Sequence, residues 1–479
     1  MITIKETTLK DLPFVRLLWN NGEVLKWAGF PEGLNQSQQD MIQWFNGLKE
    51  NEFHYSIYDE MSNYCGETFF RTLATHTQMD IKLMPEVQNK GIGAYALSFA
   101  MEQAFKKNPE AKLIVDPQNG NTKAHQLYLK LGYTLSTIQE TPGHTNYECS
   151  LQQFKPYHYV TIRPIVESDL ETIWQMTDKE EHYWWQDWDG PYFPKSQPLS
   201  LDEFKERYRT SYLNPDHKHL ILDNGQPAGF LTAYYEDDKT RWLEMGIILF
   251  EEHKTSQGIG SKAIKLWQRY LFNHHPVERV GLTTWSGNIR MMKAAINCGM
   301  KLEARIRKVR YYQGIYYDSI KYGILRDEFN LMERWHVSIV HSDEEKRNIS
   351  RSILHSLPQW FGIPEATQDY IDDSSQMVMA VIKEQDQALG FIALNPTSQN
   401  TLDIHVMGVL PQAHRQQVGS RLIQFSETYA RQHHYQLLQV KTLDETHPDP
   451  NYQKTRIFYQ KVGFLKLESF PELWDKQNP

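Results

Sequence analysis

The stretch Gln88-Asn89-Lys90-Gly91-Ile92-Gly93 decides how the rest of the chain is read. It closes Met79-Asp80-Ile81-Lys82-Leu83-Met84, which alternates with the two-residue period of a strand. It opens Ala94–Met101, whose apolar spacing predicts a helix. Backbone N–H groups at a helix start have no intrahelical acceptor, and the helix dipole adds partial positive charge there. Glycine removes the Cβ that would hold an anion away. Strand, glycine loop and helix together predict either a simple turn or a phosphate site.

Recurrence favours the site. Thr255-Ser256-Gln257-Gly258-Ile259-Gly260-Ser261 follows the apolar run Met245–Phe250, and Arg415-Gln416-Gln417-Val418-Gly419-Ser420 follows Ile404–Leu410. Each leads into a helical pattern. A second helix then ends at a glycine before an aromatic or methionine: Gly132-Tyr133, Gly299-Met300 and Gly463-Phe464. Such a glycine suits a helix C-terminus. The openings match too, with Ile2-Thr3-Ile4-Lys5 before Asp11-Leu12 and Val160-Thr161-Ile162-Arg163 before Asp169-Leu170. Val337-Ser338-Ile339-Val340 is a looser third. Internal repetition predicts three tandem domains, 1–154, 158–328 and 334–479.

Composition narrows the class. A chain of 479 residues exceeds one ordinary core. Apolar residues make up 40% and charged residues 23%, as in soluble globular proteins. A net charge of −8 argues against a nucleic-acid partner. Cys65, Cys149 and Cys298 are too sparse for a disulfide framework or a metal site, and a reducing cytoplasm is expected. The N-terminus has no apolar signal core and no run reaches membrane-spanning length, so no membrane association is expected.

The pattern Gln/Arg-x-x-Gly-x-Gly/Ala on a strand–loop–helix resembles the coenzyme A loop of the GNAT acetyltransferase superfamily. The resemblance implies an α/β (α+β) fold, repeated three times, each with a mixed, splayed central sheet flanked by helices. It implies acetyl-CoA as cofactor, no metal, and transfer of acetyl to a primary amine by direct attack in a ternary complex. It assigns cofactor contacts to Gln88, Asn89, Lys90, Gly91, Ile92, Gly93 and Ala94, and to Gln257, Gly258, Ile259, Gly260 and Ser261. In the third repeat it assigns them to Arg415, Gln416, Gln417, Val418, Gly419 and Ser420. Asn121 and Asn288, ahead of the second helix, are expected to cap it and to touch the cofactor.

By the same resemblance, Tyr128 and Tyr459 would protonate the leaving thiolate; as alternatives they are packing residues with a polar tip. The second repeat has Ala295 there. Glu244 is the matching base, with Asp80 and Asp403 in comparable strands. The second repeat is similar to the RimJ/RimL-type branch, which acetylates ribosomal-protein N-termini and small amines. There Trp184, Trp185, Asp187 and Trp188 would hold a cationic small-molecule or peptide amine, or else form a hydrophobic plug.

Departures from the pattern are visible. Gln417 replaces the first glycine of the third loop, and Thr255 stands where glutamine or arginine is usual. Only Ser469–Pro479 follows the third repeat's Leu465–Glu468, so its last strand is expected to be missing or cut off. A second reading is therefore an acyl-CoA-binding or scaffold protein in which only one or two repeats are catalytic. A dinucleotide fingerprint, Gly91-x-Gly93-x-x-Ala96, is disfavoured because it lies mid-domain. The acceptor and the oligomeric state are left open by the sequence.

Overall fold

The computed structural model describes residues 2–136, 142–190, 192, 197–384 and 387–470. Its strands form three sheets of mixed orientation flanked by helices. The first runs Thr3–Glu6, Glu52–Tyr58, Tyr64–Thr72, Thr77–Leu83, Leu113–Val115, Tyr147–Cys149, Thr134–Leu135. The second runs Lys301–Tyr312, Ile315–Leu325, Arg279–Trp285, Trp242–Leu249, Gln226–Asp237, Lys218–Asp223, Val160–Pro164. The third runs Val337–Val340, Val378–Glu384, Gln387–Pro396, Thr401–Val409, Leu437–Val440. No strand follows the helix Pro450–Lys461 among the described residues, and 471–479 lie outside them.

Packing groups the chain into two compact units. One holds Met1–Ile173, His219–Phe230 and Leu249–Ile259; the other holds Trp174–Lys218, Leu231–Ile248 and Gly260–Pro479.

In each sheet the strand leading to a glycine loop starts in parallel register and then parts from its neighbour. Thr77–Leu83 meets Leu113–Val115 only at Thr77↔Leu113 and Gln78↔Ile114. Trp242–Leu249 meets Arg279–Trp285 only at Leu243↔Val280 and Glu244↔Gly281, while Arg279–Trp285 stays paired with Ile315–Leu325 to its end. Thr401–Val409 keeps four partners in Leu437–Val440, the last being Ile404↔Val440. The expected splay is present.

The helices after the loops are placed by their apolar faces. Leu97, Ala100 and Met101 of Ile92–Lys107 bury against Phe70, Met79 and Leu113. Val418, Leu422 and Ile423 of Val418–Gln432 bury against Ile392, Leu402 and Ile404. Each large side chain so buried contributes about 1.5–3 kcal/mol. The matched opening aspartates do matching work. Asp11 accepts from the Thr8 N–H at 2.7 Å, and Asp169 accepts from the Val166 N–H at 2.8 Å. Asp169 is further held by Arg163 at 2.6 and 2.8 Å.

Candidate active site

The three glycine loops share one backbone path. Each follows a short 3-10 turn: Pro85–Val87, Glu252–Lys254 and Pro411–Ala413. Each then enters the left-handed region twice, two residues apart. The first pair is Asn89 at φ 62° and Gly91 at 80°; the second is Ser256 at 62° and Gly258 at 81°. The third is Arg415 at 59° and Gln417 at 65°. Glutamine therefore occupies a conformation that favours glycine, at a cost of roughly 1–2 kcal/mol. The second glycine has a packing reason. A Cβ on Gly93 would lie 3.2 Å from Leu83 Cδ1, and one on Gly419 would lie 3.2 Å from Phe458 Cζ.

This path leaves amides unspent. Among the described residues, the N–H groups of Asn89, Lys90, Gly91, Ile92, Gly93 and Ala94 donate to no acceptor in the chain. The same holds for Gln417, Val418, Gly419 and Ser420. Asn89 and Lys90 are exposed, as are Gln257, Gly258, Arg415, Gln416 and Gln417. Surroundings differ among the loops. A Cβ on Gly91 would lie 2.8 Å from the Tyr157 hydroxyl, whereas one on Gly258 would meet nothing within 4 Å. In the third loop Trp335 Nε1 donates to the Gln416 carbonyl at 2.7 Å.

The second helix of each repeat, Thr122–Lys130, Ile289–Asn297 or Pro450–Lys461, ends identically. Gly132, Gly299 and Gly463 have φ of 96°, 80° and 102°. The next residue's N–H returns to the carbonyl five residues earlier: Tyr133 to Tyr128, Met300 to Ala295, Phe464 to Tyr459. This terminal motif fixes the turn that carries the candidate acid. Tyr128 and Tyr459 are 6% and 9% exposed. Neither hydroxyl hydrogen-bonds within the chain among the described residues. Burial holds both phenols well above their ordinary range, reinforced by Asp80 at Tyr128 and by Asp403 at Tyr459. Both are protonated at neutral pH, as a proton donor must be. Ala295 is fully buried and supplies no such group.

The strand carboxylates are all held by cations. Glu244 is fully buried and accepts from Trp242 Nε1 at 2.8 Å, Thr283 Oγ1 at 3.1 Å and Arg279 Nη1 at 2.9 Å. Gly281 makes room for this pair, since a Cβ there would fall 2.4 Å from Glu244 Oε1. Asp80 pairs with Lys82, and Asp403 with Lys441 at 3.1 Å. One carboxylate escaped the sequence reading. Glu67, on Tyr64–Thr72, is fully buried; its Oε1 accepts from Trp19 Nε1 at 2.6 Å and pairs with Lys82 at 3.5 Å, but its Oε2 has no hydrogen-bond partner among the described residues. Burial raises its pKa against the pull of Lys82. Its only sequence signal is a lone acid inside Cys65–Phe70.

Both asparagines cap their helices. Asn121 accepts from the Ala124 N–H at 3.3 Å and Asn288 from the Met291 N–H at 2.9 Å. Asn288 also donates to the Trp188 carbonyl at 2.8 Å, so its amide is committed inside the protein. Among the described residues the Asn121 amide donates to no acceptor.

The aromatic segment of the second repeat forms the turn Trp184–Asp187. Trp185 Nε1 donates to the Met176 carbonyl at 3.2 Å, and Asp187 pairs with His182 at 3.3 Å. Arg290 lies 4.3 Å above the Trp188 ring, which takes that face for a cation of the chain itself. Asp189 is different: its residue is exposed and among the described residues no basic partner meets it, yet desolvation of the carboxyl pushes it up to about 6. Its charge is felt by Tyr192 and Tyr234. Tyr192 packs edge-on to Trp285 at 6.0 Å.

Among the described residues no group of His, Cys, Asp and Glu is placed to hold a metal ion, and no helix is long and apolar enough to cross a membrane.

A family model described as an acetyltransferase (GNAT) domain matches residues 2–134 and again 160–301, more than half of the chain. The chain belongs to the GNAT acetyltransferase family. A second GNAT domain model matches residues 375–466. Over 135 residues this GNAT chain is 22% identical to the SPbeta prophage-derived uncharacterized N-acetyltransferase YokL of Bacillus subtilis strain 168, covering 28% of this chain and 76% of that protein. Among solved structures it is similar to spermidine N-acetyltransferase from Vibrio cholerae with CoA and spermine. That match has 18% identity and a TM-score of 0.31, covering 36% of this chain and 98% of the other. It is also similar to aminoglycoside acetyltransferase AAC(6')-Ib with coenzyme A, at 17% identity, TM-score 0.29, and coverage of 36% and 99%.

Proposed function

We propose that this GNAT protein is an acetyl-CoA-dependent N-acetyltransferase built of three repeats, 1–154, 158–328 and 334–479, acting in the cytoplasm on a small-molecule or peptide primary amine. The observation that carries the reading is the row of unspent amides at the glycine loops. A diphosphate satisfies such amides and gains from the helix dipole. The parted strands beside each loop leave room for the thioester arm.

Transfer then needs an unprotonated amine and a proton for the thiolate. Attack on the thioester carbonyl forms the C–N bond, expels the thiolate and releases a proton from the amine. Tyr128 and Tyr459 are the donors to the thiolate in the first and third repeats. Glu67, with its free Oε2, is the first repeat's candidate base. Glu244 is locked by three donors and serves the sheet better than a proton shuttle. In the second repeat, proposed to be of the RimJ/RimL type, Asp189 beside Tyr234 takes the cationic amine in place of Asp187, because Arg310 already lies 5.1 Å over the Tyr192 ring.

Specific observations favour a mixture of active and silent repeats. Ala295 removes a proton donor, Tyr157 stands over Gly91, and Gln417 strains the third loop. Calorimetric titration of the full chain with acetyl-CoA, paired with thiol release over a panel of primary amines, tests the reading. One to three sites and amine-dependent thiol release are expected. No heat of binding at any acetyl-CoA concentration would overturn it.

A further inference from the structure

Arg421 sits in the first turn of Val418–Gln432. Its Nε donates to the carbonyl of Trp335, which caps the C-terminus of Arg326–Arg334, at 3.1 Å. Among the described residues its terminal nitrogens donate to nothing and no carboxylate pairs with it. It is half-buried, and burial pulls the guanidinium down to about 10. Buried charge without a counter-charge is costly, so proteins pair it.

Its neighbours include a second cation and an imidazole. His336 is pushed below its ordinary range by burial and by the charges of Arg421 and Lys265. Lys265, on Ile259–His274, is exposed, and so is His336. Exposed Arg334 lies 5.2 Å from the Trp335 ring centre. The carboxylate next in sequence, Glu333, is spent on Arg269 at 2.6 Å. The negative end of Arg326–Arg334, equivalent to about half a charge, offsets part of this.

We propose that Arg421, Lys265 and His336 form a binding site for a phosphate group, reached from solvent and anchored by the guanidinium. The free edge of an arginine fork matches two phosphate oxygens at once, and the lysine adds a point charge. Through Trp335 the site adjoins the third glycine loop: Arg421 holds the Trp335 carbonyl and Trp335 holds that of Gln416. The phosphate is either free or the monoester on the ribose of coenzyme A. The inference does not depend on acyl transfer.

The test is calorimetric titration of the full chain with inorganic phosphate, with no thioester present. Saturable binding is expected. Arg421→Gln should weaken it about tenfold or more, Lys265→Gln less, and Arg421→Lys least. The His336 ring, assigned by His336→Gln, should titrate at higher pH with phosphate than in chloride at equal ionic strength. Coenzyme A displacing phosphate where the 3′-dephospho form does not identifies the cofactor as the source; displacement by neither identifies the free anion. If Arg421→Gln does not fold, Lys265→Gln and the His336 shift carry the test. Equal phosphate affinity in wild type and all variants, or no binding at millimolar phosphate, overturns the proposal.

Discussion

The first and second glycine loops trace the same backbone yet meet different surroundings. Gly91 faces the hydroxyl of Tyr157, whose N–H is fixed to Ser98 Oγ at 2.9 Å and whose ring lies 4.5 Å from Lys130 Nζ. Gly258 faces nothing. The first repeat has Tyr128 four residues before its helix-ending glycine and a covered loop; the second has an open loop and Ala295 at the matching place. On the proposed reading, binding and chemistry are separable properties of one fold.

Substitutions can break this comparison, the largest effect coming from the acid. Tyr128→Phe or Tyr459→Phe should lower thiol release about a hundredfold in whichever repeat is active, with acetyl-CoA affinity unchanged. Unchanged turnover in both would leave the acid unassigned. Next is Asp189. Its carboxyl is protonated below about 6, so amine-dependent kcat/KM through the second repeat should rise as pH passes 6, and Asp189→Asn should abolish that limb. A raised acid pKa also means that stability falls as pH climbs from the ordinary carboxylate range through 6. Asp189→Asn should thus be the more heat-resistant protein above pH 6, as a melting series would show.

Smaller effects test the loops. Gly258→Ala forces a Cβ into a left-handed residue at a cost of about 1 kcal/mol, weakening acetyl-CoA at that site a few-fold. Gln417→Gly should do the reverse, stabilising the protein and tightening the third site by a similar factor. Tyr157→Ala should raise the number of acetyl-CoA sites by one if the hydroxyl blocks the first loop. An unchanged count would mean that the tyrosine is part of that site rather than its cover.

Local pattern made much of this architecture legible. Met79–Met84 alternates as a strand does, and the glycines at 91, 132 and 299 report left-handed backbone that few other residues adopt, so strands, loops and helix ends could be read directly. What stayed hidden depends on partners distant in sequence. Glu244 reads as a strand-start acid, but Arg279, 35 residues on, turns it into a buried ion pair. Asn288 reads as a cap, and nothing local shows its amide reaching back to Trp188. Trp188 reads as an open aromatic face until Arg290 is seen to cover it. Tyr157 lies in an apparent linker between repeats, where no periodicity marks a role.

The parting of Trp242–Leu249 from Arg279–Trp285 after two shared residues has a consequence of its own. A wedge opens whose wall is main chain, with peptide groups lacking their usual neighbour. On the proposed reading its guest is slender and amide-bearing, able to stand in for the missing strand. Such a guest is recognised by the shape of the gap before any side chain contributes, so replacing residues along the wedge should change its fit far less than closing the gap would.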